Sequence, residues 1–349
     1  MKHKTRIFTA ALLLSALTLP LHAQTALEQV SFLAPGIEFS APQPALKNAE
    51  EPGLTPEQAR AKLALFNYQK SDVLAVKRGA PSVHKSYSLE KIELRLNDPL
   101  RQIGEYTQRY QYYRTAQPGP RPTVLVFSPF SGAKTIDAWA ALHFAKKGYN
   151  AVVIVPAQSL ADKTRPLDQT DDLLIRETIS ARICIDLLET FPEVDSSKIY
   201  ATGISMGGIR TTLAFGVEPR IKKAAEVVGG GDLPGVIADT HFSLLRKTRD
   251  ARMKIEGIAT LAEFRTYMKK VMTVDPMDFG SLRNPEDLMV MMGRGDTYVR
   301  DAYQKKLYNA FSRPLEGRFP VLKTTGQGHI ITAVNATTHV ELLKQFFER

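Results

Sequence analysis

From residue 124 onward the chain alternates short, continuously apolar runs with longer segments whose apolar residues recur at helical spacing. Val124-Leu125-Val126-Phe127 and Ala151-Val152-Val153-Ile154-Val155 contain no polar residue, as in strands covered on both faces. Residues 199–202, 224–228, 288–292 and 319–322 read as further strands of the same series. Between them, Ile136, Ala140 and Phe144 stand four apart, and Ile175, Ile179, Ile183 and Leu187 repeat that interval through a longer helix. A closing helix places Ala336, Val340, Leu343 and Phe347 on one stripe. Strands that alternate with helices of this length are joined by crossovers. They predict an α/β fold with a mostly parallel sheet flanked by helices.

The rhythm differs at two places. Residues 87–96 alternate charged and apolar positions and residues 106–114 are rich in tyrosine, with Asp98-Pro99 and Gly104 between them. This predicts an antiparallel hairpin ahead of the parallel strands. Residues 232–286 hold helical patterns but no strand. One helix opens at the capping box Thr260-Leu261-Ala262-Glu263. An insertion between two late strands is where a helical cap over an active site would sit.

The first 23 residues read as a secretory leader. Lys2, Lys4 and Arg6 precede an uncharged apolar run, and Leu21-His22-Ala23 offers a small-residue cleavage site. The run falls short of the roughly 20 apolar residues that span a bilayer. The expected location is therefore periplasmic or secreted, with no transmembrane segment after cleavage. The single cysteine, Cys184, rules out an internal disulfide. Residues 24–84 form a proline-rich N-terminal extension with one helix signal, Thr55-Pro56-Glu57-Gln58, and residues 85–349 form the catalytic domain. The net charge of +10 includes the three leader cations. No basic block is interleaved with aromatics, so nucleic-acid binding gains no support.

The chemistry concentrates at Gly203-Ile204-Ser205-Met206-Gly207-Gly208, between a strand and a helix. A serine on so sharp a turn has a strained backbone, and its neighbours two before and two after must lack side chains. The turn lifts the hydroxyl above the sheet edge. It also aims the Met206 N–H, at a helix N-terminus, toward a developing oxyanion. A serine needs a base. After the leader the chain holds five histidines: His84, His143, His241, His329 and His339. His329, in Gly326-Gln327-Gly328-His329, falls between the last strand and the last helix, where a loop can carry it over the serine. The carboxylate that orients it is Asp296, in Gly293-Arg294-Gly295-Asp296, after the fifth parallel strand. The competitor is Asp232, after Gly229-Gly230-Gly231 at the end of the preceding strand. The order serine, aspartate, histidine favours Asp296.

From about Tyr87 to Arg349 the chain resembles the α/β-hydrolase superfamily, and in residues 194–208 and 293–299 its dienelactone-hydrolase-like and serine esterase branch. The resemblance implies an eight-stranded sheet with a Ser205–Asp296–His329 triad and an oxyanion hole built in part by Met206. Many members carry His-Gly after the first parallel strand, where this chain has Ser128-Pro129-Phe130-Ser131-Gly132. Pro129 has no N–H to give, so the second donor falls to Phe130, with Ser131 next. Phe130, Met206 and Tyr298 give an apolar surround, with Tyr298 a substrate contact. The expected activity is hydrolysis of a small-molecule carboxylic ester through an acyl-enzyme, with no metal and no organic cofactor. Two alternatives stand beside it: a small peptidase of the prolyl-oligopeptidase type, and a non-catalytic binding protein on a hydrolase scaffold.

Overall fold

The computed structural model describes residues 54–130, 135–338 and 340–349. The expected leader, residues 24–53, Ser131, Gly132 and His339 lie outside these. The strands are β1 (Val73–Arg78), β2 (Ser82–Val83), β3 (Tyr87–Asn97), β4 (Glu105–Thr115), β5 (Arg121–Phe127), β6 (Asn150–Val155), β7 (Val194–Ile204), β8 (Ile221–Val227), β9 (Leu288–Gly293) and β10 (Val321–Thr325). The helices are α1 (Pro56–Lys62), α2 (Thr135–Lys146), α3 (Thr170–Leu188), α4 (Met206–Val217), α5 (Leu233–Asp239), α6 (Ser243–Ile255), α7 (Leu261–Val271), α8 (Asp301–Phe311), α9 (Gly328–Thr338) and α10 (Val340–Glu348).

All ten strands join one sheet in the order β1-β3-β4-β6-β5-β7-β8-β9-β10, with β2 on the outer side of β3. Strands β5 to β10 run parallel, and β4 pairs antiparallel with both β3 and β6. The eight strands implied by the resemblance are β3 to β10. The sheet exceeds that count because β1 and β2 add to its antiparallel edge. They left little pattern in the sequence because β1 is a mostly exposed edge strand and β2 has two residues.

The expected hairpin is β3–β4, paired from Tyr87↔Thr115 to Asn97↔Glu105. On β3, Ile92, Leu94 and Leu96 are buried while Lys91 and Arg95 face water, the period of two that puts one face on a core. The parallel strands are buried on both faces and feed two cores. Leu125 and Phe127 of β5, with Val290 and Met292 of β9, pack on the side of α3 and α4. Val124 and Val126, with Met289 and Met291, pack on the opposite side against α2 and α10. This two-sided cover explains why those strands contain no polar alternation.

Helix α3 buries Ile175, Ile179 and Ile183, as the four-residue spacing predicts. Between β8 and β9 come α5, α6 and α7. Their apolar residues Ile237, Met253, Phe264 and Met268 join Leu167 in a separate small cluster. Helix α7 starts at the predicted capping box, Thr260 with Glu263. Helix α1 likewise starts at Thr55 with Gln58.

Candidate active site

Ser205 stands at the junction of β7 and α4 with φ 59° and ψ −120°, a backbone conformation that an L residue adopts only at a cost. Its N–H donates to Val227 O at 2.8 Å, which pins the turn to the end of β8. The two flanking glycines are required by contact. A Cβ at Gly203 would lie 2.4 Å from Gly207 O, and one at Gly207 would lie 2.2 Å from Phe127 O. Met206 is the first residue of α4, so its N–H has no carbonyl partner within the helix.

Asp296 follows β9 and His329 follows β10, and the two meet. His329 Nδ1 lies 2.6 Å from Asp296 Oδ2, with both side chains buried. The remaining capacity of the carboxylate is also filled. Oδ1 accepts from the N–H groups of Tyr298 (2.7 Å) and Val299 (3.0 Å), and Oδ2 accepts from Gln304 Nε2 (3.1 Å). Gln304 also donates to Val299 O and accepts from the Gly293 N–H, so one side chain fixes both ends of the turn. His329 is the second residue of α9 rather than part of a loop ahead of it. Gly328 adopts φ +66° at that point and the helix starts directly.

Ser205 Oγ and His329 Nε2 form no hydrogen bond among the described residues, so the structure joins His329 to Asp296 but not to Ser205. Contacts of this kind commonly tighten only when substrate is bound. Aromatic rings connect His329 to the loop after β5. His329 packs on Tyr298 (4.9 Å between centroids), Tyr298 on Phe242 (5.1 Å), and Phe242 on Phe130 (5.9 Å). Tyr298 therefore touches His329 directly.

Asp232 takes a different place. It caps α5 by accepting from the Gly235 N–H, and its other oxygen pairs with Lys306 Nζ. His84 stacks on Tyr87, the ring of His143 bonds Trp139 O, and His241 meets Arg300.

Phe130 and Met206 line a cavity of about 30 Å³ together with Leu233, Ile237 and Leu245 from the inserted segment. Arg252 of α6 ties this segment to the loop after β6, donating to Leu160 O and Asp162 O. Burial lowers its pKa to about 10. Beneath the serine, Glu226 of β8 is fully buried and accepts from the Gly229 N–H at 2.6 Å. Desolvation, with the charge of Asp296 adding to it, pushes its pKa up to about 8. Glu177 of α3 is also raised by burial, and Arg210 of α4 opposes that shift.

Sequence reasoning missed Gln304, Glu226, Glu177 and Arg210. Arg210 had a visible signal, a charge inside the otherwise uncharged run of residues 203–217. Gln304 had none, because its role depends on where α8 docks. Among the described residues, no three His, Cys, Asp or Glu side chains gather so as to hold a metal ion.

A serine on a strained strand-to-helix turn, above a mostly parallel sheet in this order, defines the α/β-hydrolase fold. Solved structures agree. Acetyl xylan esterase 1 from Thermoanaerobacterium superposes with a TM-score of 0.61 at 15% identity, over 94% of this chain and 98% of that one. An acetyl xylan esterase from Paenibacillus gives 0.58 at 16% identity, over 95% and 99%. A glucuronoyl esterase from Teredinibacter turnerae gives 0.56 at 16% identity, over 94% and 99%. The chain thus shares its fold with carboxylic-ester hydrolases along nearly their whole length. No protein-family model and no curated protein matches the sequence.

Proposed function

We propose that this protein is an exported serine hydrolase that cleaves carboxylic esters of small molecules through Ser205, His329 and Asp296. The observation that carries the reading is the buried Nδ1–Oδ2 contact between His329, at the start of α9, and Asp296, on the turn after β9, in a chain whose Ser205 holds a strained backbone. In this mechanism Ser205 Oγ attacks the ester carbonyl while His329 Nε2 takes its proton. Asp296 accepts from Nδ1–H, which fixes the tautomer and stabilises the imidazolium. The N–H groups of Met206 and Phe130 hold the oxyanion. The intermediate collapses, the C–O bond to the alcohol breaks, and His329 returns the proton to the leaving oxygen. Water, deprotonated by His329, then releases the acid from the acyl-enzyme.

The small apolar cavity that Phe130 and Met206 line favours a short acyl group, and two structural neighbours are named for acetyl esters. Export rests on the leader at residues 1–23. Among the described residues no helix is long and apolar enough to cross a membrane. The test is labelling with a fluorophosphonate probe, followed by peptide mass spectrometry and a chain-length series of p-nitrophenyl esters. A single adduct on Ser205, absent in His329→Ala, and turnover that falls beyond short acyl chains are expected. No adduct in folded protein would transfer the weight to a binding role.

A further inference from the structure

The loop after β5 is gripped from beneath by an ion pair that the mechanism above does not use. Arg210, on α4 just beyond the serine turn, and Glu177, on α3, pair through Nε and Oε2. Their side chains are 3% and 8% exposed. Arg210 also reaches the loop itself. Its Nη1 donates to Ser128 O at 2.6 Å and lies 3.4 Å from Pro129 O. From the other side Ser128 Oγ donates to Ile154 O at 3.1 Å. Gly207 lies so close to Phe127 O and Ser128 O that a Cβ would not fit.

A buried ion pair is weak evidence of stabilisation, because two apolar side chains of similar volume commonly do as well or better. What this pair does supply is direction. The peptide unit is planar and trans, so its C=O and N–H point to opposite sides. The Pro129 carbonyl and the Phe130 N–H belong to one such unit. Turning that carbonyl toward Arg210 turns the Phe130 N–H away from it. We infer that Arg210, held by Glu177, is a positioning residue that orients the Phe130 N–H as an oxyanion donor to the Ser205 site. Proline at 129 fits this arrangement, since the preceding peptide then has no N–H to compete for the oxyanion.

The inference rests on the serine-hydrolase reading, and the experiment separates the two. The full chain is assayed with p-nitrophenyl acetate and with an arylboronic acid that forms a tetrahedral adduct on serine. Wild type and Ser205→Ala come first. If wild type has no Ser205-dependent turnover, the underlying reading fails and the inference with it. The double variant Glu177→Met/Arg210→Met then removes the pair without leaving a buried charge. We expect kcat to fall about 100-fold with KM changed less than about twofold, and the boronate inhibition constant to rise by the same factor as kcat/KM falls. A folded double variant with wild-type kcat overturns the inference while the hydrolase reading stands. A loss confined to KM does the same. Should that variant not fold, Glu177→Gln/Arg210→Gln keeps two polar amides in place but is too short to span from α3 to the loop. It must show the same kcat loss and parallel boronate loss, and wild-type values there overturn the inference.

Discussion

The turns after β8 and β9 are a pair worth setting side by side. Each leaves a parallel strand through glycine, each holds an aspartate within a few residues, and each leads toward a helix. Asp232 lies in the left-handed region at φ 58°, caps α5 and pairs with Lys306. Asp296 accepts two N–H groups of its own turn, one from Gln304, and the contact from His329. The difference lies not in the aspartates but in what the next element delivers. Helix α8 brings Lys306 to the first turn and Gln304 to the second, while β10 feeds His329 only to the second. Position along the sheet decides which carboxylate meets a histidine.

The sharpest way to break this contrast is to take away what sets the second turn apart. On the proposed mechanism, His329→Ala lowers kcat by about 10⁶-fold, as does Ser205→Ala, measured as steady-state ester turnover. Asp296→Asn lowers it by about 10⁴-fold, because the amide no longer holds the productive tautomer. Asp232→Asn, the matching change in the first turn, leaves kcat within about threefold. It lowers the melting temperature by a few degrees at most, equivalent to about 1 kcal/mol, through the lost Lys306 pair, because asparagine still accepts from the Gly235 N–H. A 10⁴-fold loss in Asp232→Asn with a mild Asp296→Asn would reverse the assignment.

Glu226 lies on β8 just ahead of the first turn, and its expected effect is on stability and not on activity. Its native pKa of about 8 stands above the unfolded carboxylate value, so the folded state holds a proton that the unfolded state releases. Its contribution is fully present below about pH 4.5 and is lost as pH rises toward 8. Glu226→Gln, which keeps an acceptor for the Gly229 N–H, should flatten the fall in melting temperature between pH 5 and 8. An unchanged slope in a pH series of thermal melts would count against a protonated Glu226.

Much of this molecule is written in its local pattern. The uncharged runs at 124–127, 151–155 and 288–292 read as strands covered on both faces, and they are strands. Two glycines around Ser205 announced a turn with no space for a Cβ, and Phe127 O and Gly207 O fill that space. The edge strands β1 and β2 were not legible, because a mostly exposed strand buries too little to impose a period. The start of α9 at Gly328 was missed because a positive-φ glycine can end a loop or open a helix.

By itself, then, the sequence determined the buried parallel strands, their alternation with helices and the serine turn, since these follow from periodicity and from the steric needs of neighbouring residues. Only the tertiary structure decided the rest. Asp296 and His329 are 33 residues apart and meet because β9 and β10 are adjacent and parallel. Arg210 grips a loop some 80 residues earlier because α4 packs beneath the end of β5. Contacts of that kind depend on how strands are ordered in the sheet and where helices dock, and no short window of residues carries that information.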